Sequence, residues 1–149
     1  MSHDVVYGRI PVLECLKADR RKAHRLHLIE GGKNQNELIN AAGDVPIEWT
    51  SRMELDYLTK DAVHQGVVLE AAPLPLVDLD TWTENVSGPQ SLVVVLDSIE
   101  DPQNFGAIAR SAVACGATAL IFGKDRSAPI SPAVLKAATG AMALSTVPL

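Results

Sequence analysis

The sequence contains 149 residues, of which 47% are hydrophobic and 21% charged, and its formal net charge is −5. This composition is typical of a folded protein rather than a disordered one, and the acidic balance argues against a non-specific polyanion binder. No apolar run approaches the roughly 18–20 residues of a membrane span. The N-terminus lacks a signal pattern of basic and then apolar residues, so we expect a cytoplasmic protein.

The two cysteines, Cys15 and Cys115, lie far apart in the sequence, and each has apolar neighbours. The chain has no C-x-x-C pair and no histidine spacing typical of a zinc site. We therefore expect two reduced, packed thiols and no bound metal.

The first seventy residues alternate between helical and strand patterns. Apolar spacing predicts a helix within 6–18, with Pro11 in the first turn of a helix that starts near Arg9. Ser51 and Glu54 form a capping box at the start of another helix. The other predicted segments are strands at 25–30, 46–51 and 67–72 and a helix at 33–42. In the strand at 25–30, Leu26 and Leu28 alternate with His27 and Ile29, which predicts one buried and one exposed face. The alternation of helices and strands predicts a small α/β sandwich in which helices cover the sheet.

Residues 72–91 interrupt this alternation with three prolines, a glycine and scattered polar residues. The proline-rich start favours an extended linker, and SGPQS near its end favours a loop. Residues 76–86 are predicted to form a short helix. We expect a domain boundary in this stretch.

A second α/β segment begins at Leu92. The continuous apolar run at 92–97 predicts a strand that is buried on both faces of a parallel sheet. Asn104 and Ser131 are predicted to cap two helices. The predicted segments are helices at 104–115 and 131–140, a strand at 118–123, and the start of a third strand in the last nine residues.

The loop SIEDPQN at 98–104 follows the first of these strands. Ligands bind at the carboxyl ends of the strands in open α/β sheets, so this loop is a candidate site. Arg110 shares a helix face with Gly106 and Ala107, and helical side chains lean toward the preceding turn. Its guanidinium is therefore expected to reach the loop and to present a two-pronged donor to phosphate.

A basic run, KADRRKAHR at 17–25, carries five lysines or arginines. Two interpretations stay open for it. The run either faces phosphate groups or forms a solvated helix end and loop.

The sequence resembles the SpoU (TrmH-like) branch of the knotted SPOUT methyltransferases. The resemblance lies in LDSIEDPQNFGAIARSA at 96–112, in GATALIFGKDRSAPISPAVLKAATGA at 116–141, and in YGRIPVLECL and VHQGVVLE of the first domain. The first domain resembles the ribosomal-protein-type RNA-binding domain that precedes many of these catalytic domains. Within the branch, the sequence resembles most the 23S rRNA guanosine 2′-O-methyltransferases.

This resemblance implies transfer of a methyl group from S-adenosylmethionine to a ribose 2′-hydroxyl of RNA, with rRNA as the expected substrate, by a homodimeric enzyme that uses no metal. Asn104 and Arg110 occupy the catalytic positions of the motif. The family's proposed mechanism lets the arginine remove or steer the hydroxyl proton. Because an arginine stays protonated, anchoring a phosphate and lowering the hydroxyl pKa is an alternative role. A purely structural ion pair with Glu100 or Asp101 is another.

The remaining candidates are less specific. Asn104 is explained by a helix cap alone or by a further role in the site. Glu100 and Asp101 are expected to shape the catalytic loop and orient Arg110 rather than to bind metal. The candidate RNA contacts, each of which is equally explained by a solvated charge, are Arg9, Arg20, Arg21, Lys22, Arg25, Lys124 and Arg126.

The resemblance also implies motifs that are not in the sequence. Family members continue with a motif that contains glycine and glutamate and then with one rich in serine and asparagine, and these build the cofactor-binding knot and the dimer face. We therefore expect an incomplete chain without a cofactor site. The expected division is an RNA-binding domain at 1–72, a linker at 73–91 and the first part of the methyltransferase domain at 92–149.

Two other functions are considered. A non-catalytic RNA-binding module derived from the same family stays an alternative. A dehydrogenase-type nucleotide-binding unit is excluded because no G-x-G-x-x-G follows Asp97.

Overall fold

A computed structural model describes residues 4–19, 21–85, 91–123, Val134 and 145–148. The chain forms two compact units, Met1–Leu74 and Pro75–Leu149. The first unit contains the strands β1 (Asp4–Tyr7), β2 (Ala23–Ile29), β3 (Ile47–Thr50) and β4 (Val67–Ala71) and the helices α1 (Arg9–Ala18), α2 (Asn36–Ala42) and α3 (Arg52–Thr59).

The four strands of the first unit form one mixed sheet in the order β1-β4-β2-β3. Strand β4 is antiparallel to both neighbours, whereas β2 and β3 run parallel. Tyr7 and Val68 pair across β1 and β4 on the face that packs against Leu55 of α3. Because side chains alternate along a strand, Val6 and Leu69 lie on the other face, and α1 contacts both β1 and β4. Burial also raises the pKa of the Tyr7 phenol.

Two predictions about the first unit need correction. Val6 lies in β1 and not in a helix, because the backbone of Gly8 turns at a φ of 97° and α1 begins only after it. Strand β2 was expected to alternate between buried and exposed positions. Instead Leu26, His27 and Leu28 are all buried, since helices cover the central strands from both sides.

The predicted helix at 51–60 is present as α3, and its capping pattern differs slightly from a full capping box. The Ser51 hydroxyl accepts a hydrogen bond from the backbone N–H of Glu54 at 3.3 Å. The Glu54 carboxylate accepts from the hydroxyl of Thr50 instead of returning to the cap. Of the two hydrogen bonds of a capping box, only the one accepted by the Ser51 hydroxyl is therefore formed.

Arg21 was predicted to contact RNA, and its burial contradicts that prediction. Its side chain is only 1% exposed, and Nη1 lies 3.0 Å from Oδ2 of Asp4 in β1. Its Nε donates to Sγ of Cys15 at 3.5 Å. The guanidinium therefore ties β1 and α1 to the segment before β2.

The second unit contains α4 (Leu79–Asn85), β5 (Val93–Leu96), α5 (Pro102–Ala114), β6 (Ala119–Phe122) and β7 (Ser145–Pro148). Its three described strands are parallel, in the order β5-β6-β7. Phe105 of α5 meets Phe122 of β6 edge to face, with ring centroids 5.4 Å apart. No helix in the described ranges is long and apolar enough to cross a membrane.

In the second unit, one predicted feature is wrong and another lies mostly outside the described residues. Strand β5 was expected to be buried on both faces, but Val95 is 61% exposed, and β5 lies at the edge of the described sheet. All four residues of β6, the central strand of the described sheet, are buried, and Leu120 and Phe122 pack against α5. The predicted helix at 131–140 lies outside the described residues except for Val134, which is helical and buried.

The buried ion pair of Arg21 and Asp4 allows the structural role of Arg21 to be tested. Replacing Arg21 with alanine leaves Asp4 without its partner, so we expect the free energy of unfolding to fall by about 3 kcal/mol. The exposed pair of Arg25 and Glu48 supplies the control, and Arg25→Ala is expected to cost less than about 1 kcal/mol. Urea titration followed by circular dichroism measures both. Equal costs for the two variants would contradict the structural role of Arg21.

Candidate functional site

The loop between β5 and α5 lies at the carboxyl end of β5, where parallel sheets bind ligands. Asp101 is the N-cap of α5, and its Oδ2 accepts a hydrogen bond from the backbone N–H of Asn104 at 2.8 Å. Pro102 occupies the first helical position, where its missing N–H costs nothing. Asn104 was predicted to be the cap and is instead the third residue of the helix. Its amide side chain is therefore not needed for capping.

Asn104 and Arg110 both lie on the exposed surface of α5. Six residues separate them, which is about 9 Å along a helix axis. The two side chains also leave the helix about 120° apart, so Arg110 leans toward the first turn of α5 on a face beside that of Asn104. Arg110 forms no hydrogen bond or ion pair with any described residue, and neither Glu100 nor Asp101 is within pairing distance. Within the described chain, a structural ion pair therefore does not account for this arginine.

The acidic residues of the loop remain on the surface. Asp97 and Glu100 are exposed, and the Ser98 hydroxyl donates to Oδ1 of Asp97 at 3.0 Å. Ser98 has a φ of 56°, which turns the chain sharply away from β5. Among the residues that the structure describes, no three His, Cys, Asp or Glu side chains are arranged to hold a metal ion.

The described part of this loop also gives no enclosed site for a nucleoside cofactor. A nucleoside cofactor is normally enclosed by apolar walls that carry a few buried polar groups. Here the polar side chains of the loop and of α5 all face solvent, and the buried polar atoms without a partner lie in the first unit. The described residues therefore do not fit a methyl donor by themselves.

Among the other cations of the first unit that were predicted to contact RNA, Arg25 has an acidic partner and Lys22 has none in the described chain. Arg25 Nη1 lies 2.7 Å from Oε2 of Glu48, whereas Lys22 is exposed without an ion pair in the described chain. Neighbouring Lys17 pairs with Glu37 at 3.1 Å. Three predicted contacts lie outside the described residues, namely Arg20, Lys124 and Arg126.

Arg9 connects three segments of the first unit. Its guanidinium donates to the backbone carbonyls of Lys33 and Asn34 at 3.4 and 2.5 Å, in the loop between β2 and α2. Its backbone N–H donates to Oε1 of Gln65 at 3.0 Å, in the turn before β4. The guanidinium of Arg9, a predicted RNA contact, is thus already bound to protein carbonyls.

A cavity of about 270 Å³ opens beside the turn that contains Gln65. It is lined by Ile29, Arg52, Asp56, Asp61, Ala62, Val63, His64, Gln65 and Gly66. Buried His64 accepts a hydrogen bond from the backbone N–H of Gly66 through Nδ1 at 3.0 Å. Its Nε2 must then carry the proton, and it donates to Oδ1 of Asp56 at 2.9 Å.

The same turn contains a glycine that no other residue replaces easily. Gly66 has a φ of 78°, and a Cβ there would lie 2.7 Å from Cγ2 of Ile29. In the local sequence, His64 and Gln65 are turn residues before a strand, with no further role indicated. Gln65 bonds to Arg9, which is 56 positions away, and His64 bonds to Asp56 of α3 and to Gly66. No residue pattern in the turn indicates these partners.

Two families match the chain in succession. The family described as "RNA 2'-O ribose methyltransferase substrate binding" matches residues 5–77. The "SpoU rRNA Methylase family" matches residues 91–148, which include the loop and all of α5.

Curated relatives match almost the whole chain. It is 37% identical to the human mitochondrial rRNA methyltransferase 1, across 97% of this chain and 43% of that protein. It is 35% identical to a putative TrmH family tRNA/rRNA methyltransferase of Bacillus subtilis, across 95% of this chain and 58% of that protein. The chain thus spans about half the length of the curated relatives that it matches.

A solved structure supports the same relationship. The SpoU methyltransferase AviRb from Streptomyces viridochromogenes, in complex with the cofactor AdoMet, superposes with a TM-score of 0.78 at 25% identity. The match covers 99% of this chain and 55% of that structure. The ordered family matches, the relatives and the mixed α/β fold agree, and the chain belongs to the SpoU family of RNA methyltransferases.

Proposed function

We propose that this chain is the RNA-recognising and substrate-facing part of an S-adenosylmethionine-dependent RNA ribose 2′-O-methyltransferase that acts on rRNA. The observation that carries the proposal is the order of the two family matches, a substrate-binding segment at 5–77 and a methylase segment at 91–148. The names of the human and bacterial relatives support rRNA or tRNA as the substrate.

Arg110 is the main candidate for contact with the reacting nucleotide. It is exposed on α5 and has no ion-pair partner in the described chain, so its donors are available to a ligand. A guanidinium stays protonated at neutral pH and offers paired N–H donors to phosphate. We therefore assign Arg110 to anchoring the phosphate beside the target ribose, where its charge lowers the pKa of the 2′-hydroxyl.

The rest of the loop supports that arginine. Asp101 fixes the first turn of α5 through its cap, which leaves the Asn104 amide available for a ribose or phosphate oxygen. Glu100 is exposed beside the cap and is proposed to orient Arg110 when substrate binds. S-adenosylmethionine, when bound, supplies the methyl group.

The proposed division of labour follows the predicted domains. Residues 1–72 form an RNA-binding domain of the ribosomal-protein type, 73–91 a linker, and 92–149 the first part of the methyltransferase domain. The relatives are about twice as long as the matched segment. We propose that the part of those relatives outside the matched segment corresponds to the cofactor-binding knot and the homodimer face. We also propose a cytoplasmic location for this protein.

Separate binding measurements test this division. The 149-residue chain is expected to bind rRNA fragments, measured by fluorescence anisotropy, and to give no heat with S-adenosylmethionine in calorimetry. The reason is that the described loop offers no enclosed site for the donor. Micromolar binding of the donor by this polypeptide alone would contradict the assignment. Absence of any RNA binding would contradict the proposed function.

The role of Arg110 is tested in a polypeptide that continues to the length of the relatives. Arg110→Ala is expected to lower the rate of ribose methylation by about 10²–10³-fold, because one preorganised charge is lost. Ser111→Ala is the control, since Ser111 is exposed on the same helix and bonds only to the carbonyl of Ala107. Transfer of a radiolabelled methyl group to RNA is the measurement.

The outcomes separate the two candidate functions. An unchanged rate in Arg110→Ala would remove this residue from the site. A parent polypeptide that binds RNA but transfers no methyl group would favour the non-catalytic RNA-binding module.

A further inference from the structure

The structure changes which face of the first unit is suited to RNA. In the described part of the basic run, Arg21 is buried and Arg25 and Lys17 each face a glutamate. Of the lysines and arginines in that described part, only Lys22 has no ion pair. The positive potential predicted for this run is therefore largely cancelled by its own acidic partners, although the individual exposed pairs are weak.

Elsewhere in the first unit, three exposed cations have either no acidic partner in the described chain or only a distant one. Lys33 and Lys60 form no ion pair in the described chain, and Arg52 is 80% exposed with its Nε 4.0 Å from Asp56. Lys33 lies in the loop that Arg9 ties to Gln65, a residue of the cavity wall. Lys60 ends α3.

Helix α3 and the cavity wall also expose large apolar side chains. Met53 and Tyr57 are 80% and 84% exposed, and Val63, on the cavity wall, is 71% exposed. Met53 and Tyr57 are one turn apart on α3 and therefore form one stripe. This stripe runs beside Arg52 and Asp56, which line the cavity. An aromatic ring with so little protein contact adds nothing to the core, and single-stranded RNA uses such rings for stacking.

We propose that the α3 surface, defined as Lys33, Arg52, Met53, Tyr57, Lys60 and the adjoining cavity, binds an unstacked nucleotide of single-stranded RNA. One base enters the cavity, a neighbouring base stacks on Tyr57, and the lysines meet the phosphates. This inference rests on the proposed function and names the RNA-contacting face that the basic run was expected to supply.

The chemistry of the cavity selects a base rather than a phosphate. Asp56 and Asp61 line it, and their carboxylates repel phosphate but accept hydrogen bonds. His64 donates to Oδ1 of Asp56, and Oδ2 of Asp56 lies 4.0 Å from Nε of Arg52. The exposed carboxylate of Asp61 has no ion pair in the described chain, so both of its oxygens are available to a base. Guanine offers two adjacent donors, its imino and amino N–H groups, to one carboxylate, whereas uracil offers only one. The volume lies just below the range of about 300–1,000 Å³ for drug-sized sites, which suits a single base.

The test is anisotropy titration of the full chain with fluorescein-labelled UUGUU, UUIUU and UUUUU. Inosine lacks only the amino group of guanosine, so affinity should fall from the first oligonucleotide to the third. Tyr57→Ala is expected to weaken binding of all three by about tenfold, as loss of one stacked base does. Tyr57→Phe should bind like the parent. Trp49→Ala is the matched control, since Trp49 is half-exposed in β3, outside the α3 surface.

Asp61→Asn tests base recognition with little backbone strain. Asp61 has a φ of 61°, a conformation that asparagine also tolerates. We expect the preference for guanosine over inosine to fall by about fivefold. Equal tightening of all three oligonucleotides would instead show a simple charge effect and overturn the base site.

Two lysine variants complete the test. Lys33→Ala should weaken binding about threefold and reduce its salt dependence, whereas Lys17→Ala should not. If Tyr57→Ala and Lys33→Ala bind like the parent while the parent binds RNA, the α3 surface is wrong and the proposed function stands. If the parent binds none of these oligonucleotides or rRNA fragments, the proposed function itself fails.

Discussion

The first unit depends on the hydrogen bonds that Arg9 makes at one end of its sheet. Its guanidinium satisfies two backbone carbonyls of the loop after β2, and its N–H meets the side chain of Gln65. Polar backbone groups of loops need such partners when they pack together. One residue thus holds the start of α1, the loop after β2 and the turn before β4 in register, and these segments adjoin the cavity wall.

Charges in a sequence become informative only when their partners are known. The run at 17–25 is the most basic segment of the chain, yet the described structure places Arg21 in the interior against Asp4. Asp4 is seventeen positions away, and Glu48, the partner of Arg25, is twenty-three. No periodicity links residues at such separations. The exposed fraction of Tyr57 is likewise set by which elements pack on α3, and in the described part of the first unit none covers this side chain.

Local signals were more reliable. The start of α1 at Arg9, the side-chain cap at Ser51 and the parallel strands β5 and β6 follow from proline, capping and apolar-run patterns. Strand β1 was missed because four residues with a helix directly after them carry little periodicity. The cap of α5 was assigned to Asn104 instead of Asp101, since both residue types cap helices and Pro102 was the decisive neighbour. In the site, the motif indicates Asn104 and Arg110, which are exposed on α5, whereas the cavity beside His64 depends on tertiary contacts.

The pairing of β1 with β4 has a consequence for synthesis of the chain. It joins Asp4 to Ala71, so the first strand waits for residues that are made more than sixty positions later. Such distant pairing is slow to form because a long loop must close first. Once Ala71 is available, however, every strand of this sheet is present. The first unit can then fold while the ribosome is still adding the methylase segment, in the N-to-C order in which domains usually fold.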